Sequence, residues 1–120
     1  MTAPRDPATC AALRDTLDRV GSKWALAIIS STRDAPVRFA ALERSLDGIS
    51  RRMLSLTLRE LERDGLLERR VHPTTPPQVE YLATDMAREL HDTVAHLSGW
   101  AVRHRDAVAS ARAEYDGSRP

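Results

Sequence analysis

The segment 51–64 separates charged from apolar side chains at helical spacing. At about 100° per residue, one side of the predicted helix is apolar and packs on a core, and the other is basic and faces outward. The apolar side holds Met53, Leu54, Thr57, Leu58 and Leu61. The outward side holds Arg51, Arg52, Ser55, Arg59 and Arg63. Such a helix has the size and charge to enter the major groove of DNA. Because a basic helix face is usually only solvated surface, the neighbouring segments decide the interpretation.

A second amphipathic helix precedes the basic one. Phe39, Leu42 and Leu46 recur at helical spacing, and the tight break 47–49, Asp-Gly-Ile, follows them. Ser50 then stands where a helix N-cap is needed. A helix, a short glycine-containing turn and a basic helix form the helix-turn-helix pattern.

An extended pattern follows Gly65. Residues 66–72 and 78–82 each read as a strand, and the proline-rich segment 73–77 can continue neither of them. A two-stranded hairpin is marginal alone and must lean on the helices. A hairpin directly after a basic helix of this kind is the wing of a winged helix.

The N-terminal part of the chain predicts two more helices. Residues 1–9 are rich in proline and small side chains and are expected to form a flexible arm. A helix then runs from Cys10 to Val20, with Gly21 as a left-handed end. Ser22 is expected to cap an apolar helix over 23–33 at the centre of the core. Val37 and Arg38 form at most a short strand.

The C-terminal part predicts one long helix. Thr84 caps it, apolar residues recur along it, and residues 113–120 lack that pattern and are expected to fray. The fold class is therefore mainly α with a small antiparallel β-hairpin: one winged helix-turn-helix domain, 10–112, with extra N- and C-terminal helices that dimerise.

Composition limits the location and the class of the protein. A chain of 120 residues with 42% apolar side chains can bury one core without covalent staples. The single cysteine excludes an internal disulfide and favours the cytoplasm. The apolar run from Trp24 to Ile29 is far too short to cross a membrane, so no membrane partner is expected. A net charge of +1 attracts nucleic acid only if the positive charge is local.

Specific roles follow from the helix geometry. Arg52, Ser55 and Arg59 point most directly outward and are predicted to contact base edges. Arg51, Arg63 and Arg38 are predicted to contact phosphates, and Thr74 and Thr75 to reach DNA from the wing. For each of these residues, the alternative is an ordinary surface side chain.

Surplus apolar surface predicts a homodimer. The first and last helices carry more apolar side chains than a compact winged helix needs for its own core. The predicted interface holds Leu13, Leu17, Leu90, Val94, Leu97, Trp100 and Ala101. Pairing would place two basic helices about 34 Å apart, which predicts a palindromic operator. The alternative is that the long helix packs back on its own domain.

Cys10 is a candidate redox sensor. A position near a helix N-terminus, with Arg14 one turn later, favours the thiolate. The same residue also continues the stripe of Leu13, Leu17 and Val20, where a cysteine is usually an inert small hydrophobe. Both interpretations stay open.

Enzyme chemistry is not indicated. The four histidines lack the spacing of a metal site, and the chain has no Ser-His-Asp set, phosphate loop or nucleotide fingerprint. We expect a non-enzyme without a cofactor or metal.

Several motifs resemble those of the HxlR-type winged-helix transcriptional regulators, in the family's order from about Cys10 to His104. They are Gly21-Ser22-Lys23-Trp24, Arg38-Phe39 with Leu42, Gly48-Ile49-Ser50, the segment 58–66, Pro76-Pro77 with Val79-Glu80-Tyr81, and Trp100. The resemblance implies a DNA-binding homodimer paired through its first and last helices. Some relatives sense electrophiles or oxidants through a cysteine placed like Cys10, which makes an oxidant or a small-molecule inducer a further expected partner.

The chain departs from the family pattern at two outward positions. Leu56 replaces a common glutamine, and Gln78 replaces a basic residue at the base of the wing. We include Leu56 among the DNA-binding residues, because a leucine in the groove can contact a thymine methyl group. Ser50, at the start of the basic helix, is included as well. Two hypotheses follow: a dimeric DNA-binding regulator, gated by thiol chemistry or a ligand, or a winged helix that binds proteins and no longer reads DNA.

Overall fold

The computed structural model describes residues 5–118. Over that range the chain is mainly helical with a small antiparallel sheet, which confirms the predicted fold class. The helices are α1 (Pro7–Val20), α2 (Ala25–Ser31), α3 (Phe39–Ser45), α4 (Arg51–Arg63) and α5 (Asp85–Ser118). The strands are β1 (Val37–Arg38), β2 (Leu67–His72) and β3 (Gln78–Ala83). Within the described range, no helix combines the length and the apolar composition needed to cross a membrane.

The chain divides into two compact units with their boundary between Arg88 and Glu89. The first unit contains the helix-turn-helix, the sheet and the first turn of α5. The second is the remainder of α5. The assignment of residues 10–112 to one domain stays a prediction.

The core of the first unit is built from α2, α3 and α4. Ile28 and Ile29 of α2 are fully buried, as are Leu42 of α3 and Leu54 and Leu58 of α4. Each such side chain contributes about 2 kcal/mol by leaving water. The structure thus confirms α2 as a central element and the inward side of α4 as the packed one.

The sheet has three antiparallel strands in the order β1-β3-β2. The predicted hairpin is present, with Leu67 opposite Ala83 and His72 opposite Gln78. The short β1 adds to its other edge through Val37 and Tyr81. The hairpin is therefore held at its base by a third strand and by contact between α4 and β2.

Helix α1 begins earlier than predicted. The Asp6 carboxylate accepts a hydrogen bond from the Thr9 backbone N–H (3.2 Å), and Pro7 occupies the first turn. Aspartate followed by proline is a strong helix start, because proline needs no N–H partner there. Residues 7–9, expected in the flexible arm, are consequently helical. The rest of that arm includes residues 1–4, which lie outside the described range.

The predicted end of α1 and start of α2 are wrong in detail. Gly21 is right-handed (φ −76°), and a Cβ there would lie 2.9 Å from the Leu17 carbonyl oxygen. Glycine is thus required for a close approach and not for a left-handed turn. Helix α2 begins at Ala25 without a side-chain cap, because residues 21–24 form a turn instead of continuing into the helix.

The turn before α4 agrees with the sequence. Gly48 has φ +85°, a conformation that other residues adopt only with strain. The Ser50 hydroxyl oxygen accepts from the Met53 N–H (3.0 Å) and caps α4 as predicted. Gly65, with φ +76°, follows the C-cap of α4 and ends that helix.

Helix α5 is longer than predicted. The Thr84 hydroxyl oxygen accepts from the Ala87 N–H (3.2 Å), which confirms the cap. The helix then continues to Ser118, so residues 113–118, expected to fray, are helical. Loss of an apolar pattern removes packing but does not by itself end a helix, and Ala113 and Glu114 retain high helix propensity. Residues 119–120 lie outside the described range.

Candidate nucleic-acid interface

Helix α4 presents two chemically distinct sides. Leu54, Leu58 and Leu61 are buried, whereas Arg52 and Arg59 are exposed. Met53, predicted on the packed side, is 42% exposed because it lies about 90° from the centre of the buried stripe. Met53 therefore forms an apolar edge of the exposed side of α4, which the sequence did not predict.

The structure brings five predicted residues to one shallow depression on α4. The depression has a volume of about 420 Å³ and is lined by Arg51, Arg52, Ser55, Leu56 and Arg59. We call these five residues the reading face. Leu56 is 46% exposed, so it lies at the surface, as predicted.

The arginines of α4 differ in their surroundings. Arg51 lies 3.5 Å from the Glu43 carboxylate, and its guanidinium lies 5.5 Å from the centre of the Phe39 ring. Arg52, Arg59 and Arg63 form no ion pair with any residue of the described range 5–118. Their charges are therefore available to an external anion, whereas that of Arg51 is partly compensated.

Two carboxylates at the C-terminal end of α4 pair with α1 and not with the arginines beside them. Arg19 of α1 contacts both, at 2.8 Å from Glu60 and 2.5 Å from Asp64. This long-range pairing is possible because the end of α1 comes beside α4. This leaves Arg59 and Arg63 uncompensated.

A second depression lies between α4 and the sheet. It has a volume of about 410 Å³ and is lined by Phe39, Ser55, Arg59, Glu62, Arg69 and Tyr81. We call it the sheet cleft. Sequence reasoning missed Arg69 and Tyr81. The signal was the alternation Leu67, Arg69, Val71, which places an arginine on an otherwise apolar strand face.

Arg38 is not part of either depression. It is exposed in β1 and stands opposite Glu80 in the register. Since adjacent strand residues point to opposite faces, Arg38 lies on the sheet face away from Tyr81. Its predicted phosphate contact stays a prediction.

The hydroxyl group of Thr74 is hydrogen-bonded within the wing loop. The Thr74 hydroxyl donates to the Pro76 carbonyl oxygen (2.7 Å), and the Thr74 N–H donates to that of His72 (2.8 Å). Both Thr74 and Thr75 are exposed. The loop is thus internally ordered, and its contact with DNA stays a prediction.

The predicted dimer residues are exposed in each unit. On α1, Leu13 and Leu17 are about half exposed. On α5, Leu97 is 54% and Trp100 51% exposed, Ala101 is exposed, and Leu90 and Val94 are partly exposed. No residue from Glu89 to Ser118 is buried. Apolar side chains in the second unit therefore lack a core of their own.

Cys10 lies one turn inside α1. Its side chain is partly buried, and its backbone N–H donates to the Asp6 carbonyl oxygen (2.8 Å). Because α1 starts at Pro7, Cys10 is not at the helix terminus, which weakens the dipole argument made from the sequence. Within residues 5–118, no group of three or more histidine, cysteine and carboxylate side chains could hold a metal ion.

Comparison with known proteins agrees with this geometry. Residues 19–109 match the model of the HxlR-like helix-turn-helix family. The chain is 38% identical over 93 residues to the HTH-type transcriptional regulator YdeP of Bacillus subtilis, itself uncharacterised, which covers 78% of this chain and 73% of YdeP.

Two solved structures share the fold. One, from Enterococcus faecalis V583, is assigned to the MarR family of transcriptional regulators; it has a TM-score of 0.77 and 31% identity, covering 91% of this chain and 97% of that one. The redox regulator HypR in its reduced form has a TM-score of 0.71 and 37% identity, covering 82% and 98%. The chain therefore belongs to the HxlR-like helix-turn-helix family and is a transcriptional regulator of the winged-helix type.

Proposed function

We propose that this protein binds double-stranded DNA as a homodimer and places α4 in the major groove. One observation carries the proposal: Arg52 and Arg59 are exposed, have no ion-pair partner in the described range, and line the same depression as Ser55 and Leu56. Unpaired guanidinium groups around a shallow depression suit the base edges of a groove.

The outward side of α4 divides into base and backbone contacts. Arg52, Ser55 and Arg59 contact base edges, and Leu56 contacts a thymine methyl group. Arg51 and Arg63 contact phosphates. The position of Arg51 in the first turn of α4, with its side chain exposed, supports a backbone role. From the wing, Thr75 reaches the adjacent groove or its phosphates.

A second copy of the chain covers the apolar surfaces of α1 and α5. The exposure of Leu97 and Trp100, in a unit without buried residues, supports this assembly. Most helical stability in proteins comes from packing of an apolar face, so burial against a partner stabilises α5. Two-fold symmetry then predicts a palindromic operator with half-sites about one helical turn apart.

A selection of bound fragments from random duplexes tests the proposal. We expect enrichment of a palindrome whose half-sites are about 10 base pairs apart. A second selection with Arg52→Gln tests a single contact. This variant should have a weaker base preference at one position in each half-site. Failure of the folded protein to enrich any sequence would overturn sequence-specific binding.

One observation favours a second function, the binding of another protein. Trp24, Met53 and Leu56 line a cavity of about 320 Å³ at the edge of α4, and two of them are exposed apolar residues of that helix. An apolar patch of this kind suits a partner protein. Salt separates the two functions, because each neutralised phosphate steepens the dependence of log K on log salt by about 0.9.

Redox gating through Cys10 is the regulatory part of the proposal. It is supported by the position of Cys10 on α1, beside the proposed dimer surface, and by the similarity to HypR, which is a redox regulator. We expect a mild oxidant or quinone to change DNA affinity, and Cys10→Ser to abolish that response. Equal affinity before and after oxidation in the unaltered protein would exclude gating. A small-molecule inducer stays a prediction.

A further inference from the structure

On the side of the sheet that faces α4, a charged residue interrupts a row of apolar residues. Leu67 and Ala83 are buried where the sheet packs on the core, and Val71 and Val79 extend into the wing. Between these two apolar pairs, Arg69 stands opposite Tyr81. A charged residue is therefore placed on the apolar face at the point where the sheet cleft opens between β2 and α4.

The charges that line the sheet cleft favour an anion. Arg59 and Arg69 provide two guanidinium groups, and Glu62 provides the one carboxylate. Neither arginine forms an ion pair with any described residue. The adjacent Arg70, on the other face of the strand, differs because its Nε lies 3.0 Å from the Glu68 carboxylate.

The geometry points to the sheet cleft as a binding site for one DNA backbone phosphate, held by Arg69 together with Arg59. This inference rests on the proposed function and names a contact that the reading face alone does not contain. Ser55 and Tyr81 add hydroxyl donors, and the Phe39 ring forms part of the wall.

The anion that would enter the sheet cleft is a phosphate of the bound duplex. Ser55 and Arg59 line both the reading face and the sheet cleft, so the two depressions adjoin along α4. A duplex lying on the reading face has its sugar–phosphate strands at the edges of the groove, beside the mouth of the cleft. A guanidinium pairs with two phosphate oxygens at once, which fixes the register of α4 on the DNA.

Arg69→Gln tests the site, with Arg70→Gln as the matched control. Both changes remove one positive charge from neighbouring positions of β2. We expect Arg69→Gln to weaken binding about tenfold and to reduce the salt slope by about 0.9 per protomer, on selected and on random duplexes alike. Arg70→Gln should leave both quantities near those of the unaltered protein. Arg69→Lys should keep the slope while losing part of the affinity.

Neutral methylphosphonate linkages, placed one at a time in the selected duplex, identify the phosphate. One linkage in each half-site should weaken binding of the unaltered protein and have no further effect on Arg69→Gln. Equal losses in both proteins at every linkage, or equal effects of Arg69→Gln and Arg70→Gln, would overturn this site. Absence of salt-dependent binding by the unaltered protein would instead overturn the proposed function itself.

Discussion

At the scale of single residues, Leu56 should determine part of the base preference of this protein. Its side chain is half exposed within the reading face and has no polar atom. In the major groove, such a group can favour a thymine methyl but cannot form a hydrogen bond to a base.

Leu56→Gln should move the preference at one operator position from thymine towards adenine, because a glutamine amide pairs with two atoms of that base. We expect a change in relative affinity of about five- to 150-fold at that position, corresponding to about 1–3 kcal/mol. Competition binding with duplexes that differ at one base pair measures it. An unchanged preference at every position would show that Leu56 lies outside the groove.

Which residues the sequence could predict depended on their distance along the chain. The reading face lies within one helix, so the 3.6-residue period was sufficient to place Arg52, Ser55 and Arg59 together. Arg69 and Tyr81 reach the same helix only through strand pairing. Their positions depend on how the sheet meets α4, which no local period contains.

At the scale of secondary-structure elements, Arg19 joins α1 to α4. It contacts both Glu60 and Asp64, and all three side chains are about one-third to two-fifths exposed. The end of the first helix is thereby tied to the last turn of the helix that we propose reads DNA. Partial exposure limits the strength of such an ion pair.

A double-mutant cycle with Arg19→Gln and Glu60→Gln should give a coupling free energy of about 1 kcal/mol. Urea denaturation at fixed protein concentration measures it, because assembly would otherwise shift the apparent stability. We expect the coupling to decrease at high salt. Strict additivity of the two changes would show that the contact does not stabilise the fold.

Element boundaries were predicted best where a single residue determines them. Ser50 and Thr84 cap their helices through side-chain hydrogen bonds, as the sequence indicated. Gly21 was misinterpreted because glycine serves both left-handed turns and close approaches. Its contact with the Leu17 carbonyl oxygen is known only once the turn is built.

At the scale of the whole molecule, the apolar stripe of α5 should determine assembly. Leu97→Glu places a charge on the stripe and should shift the protein from dimer to monomer, since a buried unpaired carboxylate is costly. Val102→Glu is the control, because Val102 is also exposed but lies away from that stripe. Sedimentation equilibrium measures both variants. A dimer that persists in Leu97→Glu would contradict this interface.

The proposed function depends on DNA binding by the exposed, unpaired arginines of α4. Fluorescence anisotropy with a duplex from the selection, repeated over a series of salt concentrations, measures this binding. We expect log K to fall linearly with log salt, by about 0.9 for each phosphate neutralised, and Arg63→Gln to flatten the slope. A folded protein that binds no duplex in a salt-dependent manner would contradict it.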